Sequence, residues 1–420
     1  MVALWIRAGT DLLGDGALGI RLLGPVSAAL GSAMLAAAAA DLFPGRRLGV
    51  PAAALFNATL LMGAGAITMT PDTPLLFFWT AAFWGLARLL RTGHPAWWLV
   101  IGLAAGGALA SKYTAALLGL GIAVWLLADP AGRRWLRTPW PWAGGAIALA
   151  CFTPVLGWNA AHGWVSFAKQ GGRTGDWRPA DALSHVLELL GGQIGLATPW
   201  IALLCTAGIW GAARRVRQGS APVLLAALTL PSIAVFLQHA LGDRVQANWP
   251  AVLYPAASVA AVAYAGRWWR PAAGLGFALT ALVYVQAAAA PLRLPRRLDP
   301  TLIRLGGWDS LVRQVAAQKA DFVAADNYGL ASVLAHGLPG TVVGAESRWD
   351  LFGLPQAPIA GQTGLLVRST RRAGPPEAGP WTSITPAGTI TRSRDGVVAE
   401  TYALYRVVAA AALPLLPHAR

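Results

Sequence analysis

Charge is scarce in this sequence. Asp, Glu, Lys and Arg make up 12% of its 420 residues, where an ordinary soluble protein has about 25%. Cysteine is rarer still. The two present, Cys151 and Cys205, lie in apolar stretches, so they read as small packing residues and support neither a disulfide framework nor a metal site. Lysine occurs only at Lys112, Lys169 and Lys319, so the other basic residues are all arginine. Met1–Asp15 lacks the long apolar core and small-residue cleavage site of a secretory signal. No solenoid-type repeat is present.

Acidic residues are few as well, 18 against 33 basic ones, for a formal net charge of +15. Such an excess suggests nucleic acid, but its placement argues otherwise. The basic residues are scattered among helix ends and form no aromatic-interleaved stripe, so no nucleic-acid partner is expected.

What is plentiful is apolar sequence, 56% of residues. Uncharged stretches run Leu22–Ala40, Leu48–Pro71, Thr73–Ala87, Thr92–Ser111 and Tyr113–Ala128. They continue through Thr138–Ala168, Leu189–Ala213, Gln218–Gly242, Val245–Gly266 and Pro271–Leu292. A membrane span needs about 20 apolar residues, and lipid forces the backbone to satisfy its own hydrogen bonds as helix. The expected fold is therefore an α-helical polytopic membrane protein of about ten transmembrane helices over residues 1–292. Charge density nearly doubles beyond residue 290, so residues 293–420 read as a small soluble α/β domain.

The arginines give a topology. With Gly45–Gly49 cytoplasmic and alternation from there, the cytoplasmic loops hold 12 basic residues and the opposite loops 5, as the positive-inside rule requires. The Thr70–Thr73 turn, the Ser111–Tyr113 turn, the loop Trp158–Leu183 and the segment Asp243–Pro250 then face outward, and the C-terminal domain is periplasmic. In that domain Ala320–Ala325, Thr341–Val343 and Gly364–Arg368 read as strands and Tyr328–His336 as a helix. Arg371–Pro380 reads as a loop, and Gly396–Val408 as a final strand pair. No segment there looks like a nucleotide-binding loop.

Ionisable residues among apolar spans mark chemistry in a membrane protein, and several share the outer face. Asp72, in Thr70-Pro71-Asp72-Thr73-Pro74, is the only acid between Asp41 and Asp129; it reads either as a helix cap or as a functional acid. Lys112 stands between two uncharged stretches. It reads as a snorkelling lysine or as a point charge for a phosphate. The segment Trp158-Asn159-Ala160-Ala161-His162-Gly163-Trp164 and the nearby Gln170 mix rings with amides. Interfacial tryptophans are ordinary, but interleaved amides point to a sugar-binding surface. His162 has no second His or Cys at metal-ligand spacing, so no metal is expected. Asp243 and Arg244 are either solvated loop charges or, for Arg244, a phosphate contact.

Taken in order, TPDTPLLFFW at 70–79, GLAAGGALASKYTA at 102–115, PVLGWNAAHGWVSFAKQGGR at 154–173 and RVQANWPA at 244–251 resemble the GT-C membrane glycosyltransferases of family 39. This is the group of protein O-mannosyltransferases and the aminoarabinose transferase of lipid A. The likeness covers most of residues 1–290 and continues weakly into ADNYGLASVLAHGLPG at 325–340.

The resemblance implies a bacterial inner-membrane enzyme, with chemistry on its outer face. It implies a polyprenyl-phosphate-linked sugar as donor and inverting transfer to a hydroxyl of a lipid-linked glycan, lipopolysaccharide or protein. No cofactor is implied beyond that donor. Asp72 corresponds to an acidic site residue at a helix start, and Lys112 and Arg244 to donor-phosphate contacts. Tyr113, Trp158, Asn159, His162, Gln170, Arg173 and Asn248 are expected to bind sugar or acceptor. The family normally opens with a helix and an outer loop bearing its principal acid, and this sequence starts with the stretch downstream of them. Asp11 and Asp15 lie outside the matching motif and inherit no role. Two other readings compete with the enzyme: a non-catalytic or truncated relative, and a lipid or solute transporter.

Overall fold

The computed structural model describes residues 1–171 and 179–418. The chain divides into two compact units, Met1–Leu282 and Val283–Arg420.

The first unit is helical. Among the described residues five helices are long and apolar enough to cross a membrane: Ala17–Leu42, Asp72–Thr92, Trp140–Ala161, Ser220–Ala240 and Gly266–Ala289. Three further pairs are bent at a short break, and Trp97–Ser111 and Trp249–Tyr264 are shorter apolar helices. Each of these ten units coincides with one uncharged stretch of the sequence, but not all are straight spans.

Leu189–Ala213, one uninterrupted stretch in the sequence, is broken by 109° between Ala180–Ala197 and Pro199–Ala213. The break falls on Thr198, at φ 69°, ψ 148°, a conformation costly for a β-branched residue. Pro199 follows, whose ring disfavours helical backbone at the residue before it. Tyr113–Ala128 and Pro130–Arg137 likewise meet at 100°. There the Asp129 side chain accepts from the Ala131 N–H and caps the second helix.

The expected outer loop Trp158–Leu183 is largely helical. Trp158–Ala161 completes the helix Trp140–Ala161, and Val165–Gly171 and Pro179–Ala197 are helices of their own. Of the polar residues that suggested a loop, Asn159 is buried within the first of these helices, His162 stands in the turn after it and Gln170 lies on the second. Helices in this unit approach closely through small residues, as membrane helices do. A Cβ on Gly102 would stand 2.2 Å from the Gly144 carbonyl oxygen, so Trp97–Ser111 and Trp140–Ala161 meet backbone to backbone.

Helix Asp72–Thr92, about 30 Å long at 1.5 Å per residue, is long enough to span a hydrocarbon layer. Leu75, Trp79, Phe83 and Leu86 on it are fully buried. Its far end carries Arg88, bonded to Asp41 at 3.0 Å. Its first residue is Asp72. The unit therefore has a basic end and an Asp72 end.

The second unit holds a five-stranded mixed sheet. Its strands are β1 (Phe322–Ala325), β2 (Val342–Gly344), β4 (Thr363–Ser369), β5 (Trp381–Arg394) and β6 (Val397–Ala409), in the order β2-β1-β4-β6-β5. β3 (Gln356–Ala357) and β7 (Leu413–Pro414) form a separate antiparallel pair. β1 pairs parallel with both β2 and β4, and helix Tyr328–Gly337 makes the crossover from β1 to β2. The α/β character expected of this region is present.

One expectation is corrected. Residues 396–408 are not a strand pair but one long strand, paired antiparallel with β5. The turn between them is Asp395-Gly396, with φ of 50° and 81°, the dipeptide suited to a two-residue hairpin. β5 itself is masked in the sequence by Thr, Ser, Gly and Pro386 on a mostly exposed edge.

Candidate active site

The Asp72 carboxylate is held from both sides. Lys112 Nζ lies 2.7 Å from Oδ1, and the Asn248 side-chain amide donates to Oδ2 at 2.6 Å. Three turns of chain converge here, each shaped locally. The Thr73 hydroxyl donates to the Thr68 carbonyl at 3.1 Å and accepts from the Thr70 N–H at 3.3 Å. The Thr70 hydroxyl accepts from the Asp72 N–H at 3.3 Å. The two threonines thus organise the start of the helix, and the Asp72 side chain bonds to Lys112 and Asn248.

Lys112 is extended (φ −162°, ψ 139°) between helix Trp97–Ser111 and the turn Tyr113–Ala115, so its side chain projects from a helix end. Asn248 precedes the tight turn Trp249–Leu253, with Pro250 just inside its start. The Asp72 and Lys112 side chains are 14% and 21% exposed. That shielding strengthens the attraction well beyond that of a surface pair.

Beside this triad opens a cavity of about 420 Å³, lined by Pro71, Lys112, Tyr113, Val155, Gln170 and Trp249 among others. The size suits a small organic ligand. Its wall is polar at Lys112 and Gln170 and aromatic at Tyr113 and Trp249. Lys112 Nζ sits 5.9 Å from the Trp249 ring centroid, within cation–π range. His239 packs against Trp249, ring centroids 5.5 Å apart.

Tyr113 is locked in place. Its hydroxyl is 2.8 Å from the Ser166 hydroxyl and accepts from the Asn159 amide at 3.2 Å, and its ring packs on Phe152 and Phe167. Asn159 is 1% exposed. Its amide also donates to the Val155 carbonyl, and its oxygen accepts from Ser166. Asn159 is thus committed to protein partners and orients Tyr113 rather than presenting an amide to a sugar.

The structure thus brings together Asp72, Lys112, Tyr113, Asn248 and Gln170. Asn248 meets the carboxylate. Trp158 and His162 stack on each other 4.2 Å apart, both exposed, and neither lines the cavity. Arg244 pairs with Glu188 at 2.6 Å on an exposed surface, a contact of little energetic weight. Arg173 lies outside the described residues. Sequence reasoning missed Trp249 as a cavity wall and Ser166 as the partner of Tyr113. Both stand in segments it had singled out, but neither residue type has a spacing signal of its own.

Known proteins resemble this chain in sequence and in fold. The family described as dolichyl-phosphate-mannose-protein mannosyltransferase matches residues 1–158. The crystal structure of ArnT from Cupriavidus metallidurans bound to undecaprenyl phosphate superposes with a TM-score of 0.61 at 16% identity, covering 96% of this chain and 87% of that one. The chain has the fold of this ArnT. The apo form of the same ArnT gives a TM-score of 0.56. The lipid A galacturonosyltransferase RgtD of Rhizobium johnstonii is 28% identical over 269 residues, which cover 62% of this chain and 55% of that protein. The chain thus spans about half the length of the curated relative it matches. The chain is thus similar in sequence and in fold to membrane glycosyltransferases.

Proposed function

We propose that the protein transfers a sugar from a polyprenyl-phosphate donor to a hydroxyl of a lipid-linked glycan, lipopolysaccharide or protein, at the outer face of the bacterial inner membrane. The observation that carries this reading is the Asp72–Lys112–Asn248 triad beside a cavity with an aromatic wall. The arginine-rich end of the helices supports the orientation, since it belongs in the cytoplasm by the positive-inside rule and Asp72 lies at the other end.

The chemistry follows from the parts. The acceptor oxygen attacks the anomeric carbon as the bond to the phosphate oxygen breaks. The leaving phosphate gains charge, and the Lys112 ammonium is a fixed cation to receive it. Asp72 takes the acceptor proton, its carboxylate aimed by Asn248. Tyr113, Gln170 and Trp249 border the space for the sugar. The donor is already activated, so the transfer needs no nucleotide and no cofactor. Arg244, in its loose exposed pair with Glu188, remains available to a second phosphate oxygen.

The test is transfer by purified protein in detergent or nanodiscs, supplied with a panel of undecaprenyl-phosphate sugars, hexosyl, pentosyl and uronosyl. Lipid A and a lipid-linked glycan serve as acceptors. Product formation that falls by about 10²-fold or more in Asp72→Asn supports the reading. No transfer from any donor, together with an unchanged cellular glycan in Asp72→Asn and Lys112→Ala strains, overturns it.

A further inference from the structure

The basic end of the first unit holds a feature that sugar transfer does not use. Helix Tyr254–Tyr264 ends there between two arginines. Arg46 Nη2 donates to the Ala263 carbonyl at 2.8 Å, and its guanidinium stands 5.4 Å from the Phe43 ring centroid. Arg215 Nη1 donates to the Gly211 carbonyl at 3.0 Å, and its guanidinium stands 5.2 Å from the Tyr264 centroid. The Phe43 and Tyr264 rings meet edge to face at 5.8 Å.

Gly211 makes this approach possible. A Cβ there would lie 2.6 Å from Tyr264 Cβ and 3.4 Å from Arg215 Nη1. Arg267 and Arg270 follow in the next turn, over Trp268 and Trp269.

The segments 43–48, 213–219 and 264–271 together contain seven arginines and no acid. The closest acid in sequence, Asp41, is bonded to Arg88. Arg46 and Arg215 are both exposed. Each guanidinium has five N–H donors and spends one on a carbonyl.

We propose that the Tyr264 end of this bundle binds the phosphodiester headgroup of an anionic phospholipid. All but three basic residues of this chain are arginine, so residue type alone does not mark this end. What marks it is that two guanidiniums are each held by a carbonyl bond and a ring face while both residues stay exposed. That arrangement suits the oxygens of a phosphate, and interhelical basic pockets at the cytoplasmic surface are where anionic headgroups bind. The flanking Trp268 is 58% exposed, as a tryptophan that meets lipid at an interface is. The inference depends only on the basic end and not on the proposed transferase activity.

The test is lipid binding by the full-length protein in neutral detergent, read by native mass spectrometry. The probes are short-chain phosphatidylglycerol, short-chain phosphatidylcholine and inorganic phosphate. Phosphatidylglycerol is expected to bind in preference to phosphatidylcholine and to resist competition by millimolar inorganic phosphate. Arg46→Ala/Arg215→Ala should weaken it about thirtyfold, taking each arginine's contribution near an anionic headgroup.

Arg46→Lys/Arg215→Lys keeps the charge and guards against misfolding of the alanine variant. It should still weaken binding several-fold, because the stacked fork is lost. An equal loss in the control Arg133→Ala/Arg137→Ala would mean diffuse attraction and would overturn the proposal. So would full retention in the lysine variant, equal binding of phosphatidylcholine, or displacement by inorganic phosphate.

Discussion

Asn248 donates its side-chain amide to Asp72 Oδ2 at 2.6 Å, across 176 positions of the chain. The bond fixes which oxygen of the carboxylate faces Lys112 and which faces the turn at Trp249. Asn248 is thus a positioning residue for the proposed general base. Asn248→Ala is expected to lower kcat about tenfold, the value of one hydrogen bond to a charged group, with a smaller change in KM. An unchanged kcat in Asn248→Ala would remove Asn248 from the site.

Lys112 is assigned two partners in sequence, Asp72 in the resting protein and the donor phosphate during transfer. Lys112→Met should cut transfer by about 10²–10³-fold, as loss of an electrostatic stabiliser does. It should also weaken retention of undecaprenyl phosphate in a pull-down. Lys112→Arg keeps the charge, but its planar fork does not copy a compact ammonium between Asp72 and Trp249, so it should recover only part of the activity. Full activity in Lys112→Met would refute the assignment.

Gly102 is a packing position with no chemical role. Its Cβ would collide with the Gly144 carbonyl oxygen, so even Gly102→Ala should destabilise the first unit by about 1–3 kcal/mol through overpacking. Gly145, with open space at its Cβ position, is the matched control. Thermal unfolding in detergent should separate the two alanine variants by several degrees.

Asp299 is a buried carboxylate of the second unit, 2% exposed and hydrogen-bonded. Burial alone works against its charge. Hydrogen bonds from Thr301, Gln286 and the Leu302 N–H, with the nearby Arg394 guanidinium, outweigh that and hold the carboxyl below its ordinary range. A lowered folded-state pKa gives stability that is fully present above the unfolded value, about 3.9, and is lost as pH falls through the folded one. Asp299→Asn should therefore cost about 2 kcal/mol at neutral pH and flatten the acid limb below about pH 4. Fluorescence of Trp308 against pH reads this out. An identical acid limb in the variant would show that Asp299 is not the group titrating.

The membrane unit was legible from scarcity of charge, because every helix in lipid must exclude it, and all ten uncharged stretches correspond to apolar helices or helix pairs. The breaks were not legible. Thr198 looks like any threonine in an apolar run, and its positive φ is set by the helices on either side. Asp72, Lys112 and Asn248 stood out one by one as polar residues in apolar surroundings, but their convergence depends on how the helices pack. Asn159 shows the opposite failure. An amide near tryptophans resembles a sugar ligand in sequence, yet burial turns it inward to Tyr113 and Ser166. In the second unit β5 escaped because an edge strand of small polar residues carries no apolar alternation, although Asp395-Gly396 marks its turn.

The triad also dates itself within biosynthesis. Asp72 and Lys112 are 40 positions apart and can meet as soon as the early helices are inserted. Asn248 and the Trp249 wall leave the ribosome more than a hundred residues later. A nascent chain halted between these points holds an acid–base pair with neither its orienting amide nor its aromatic wall. The proposed transfer therefore waits for the helices through Tyr264 to enter the membrane, so completion of the candidate site doubles as a checkpoint on insertion.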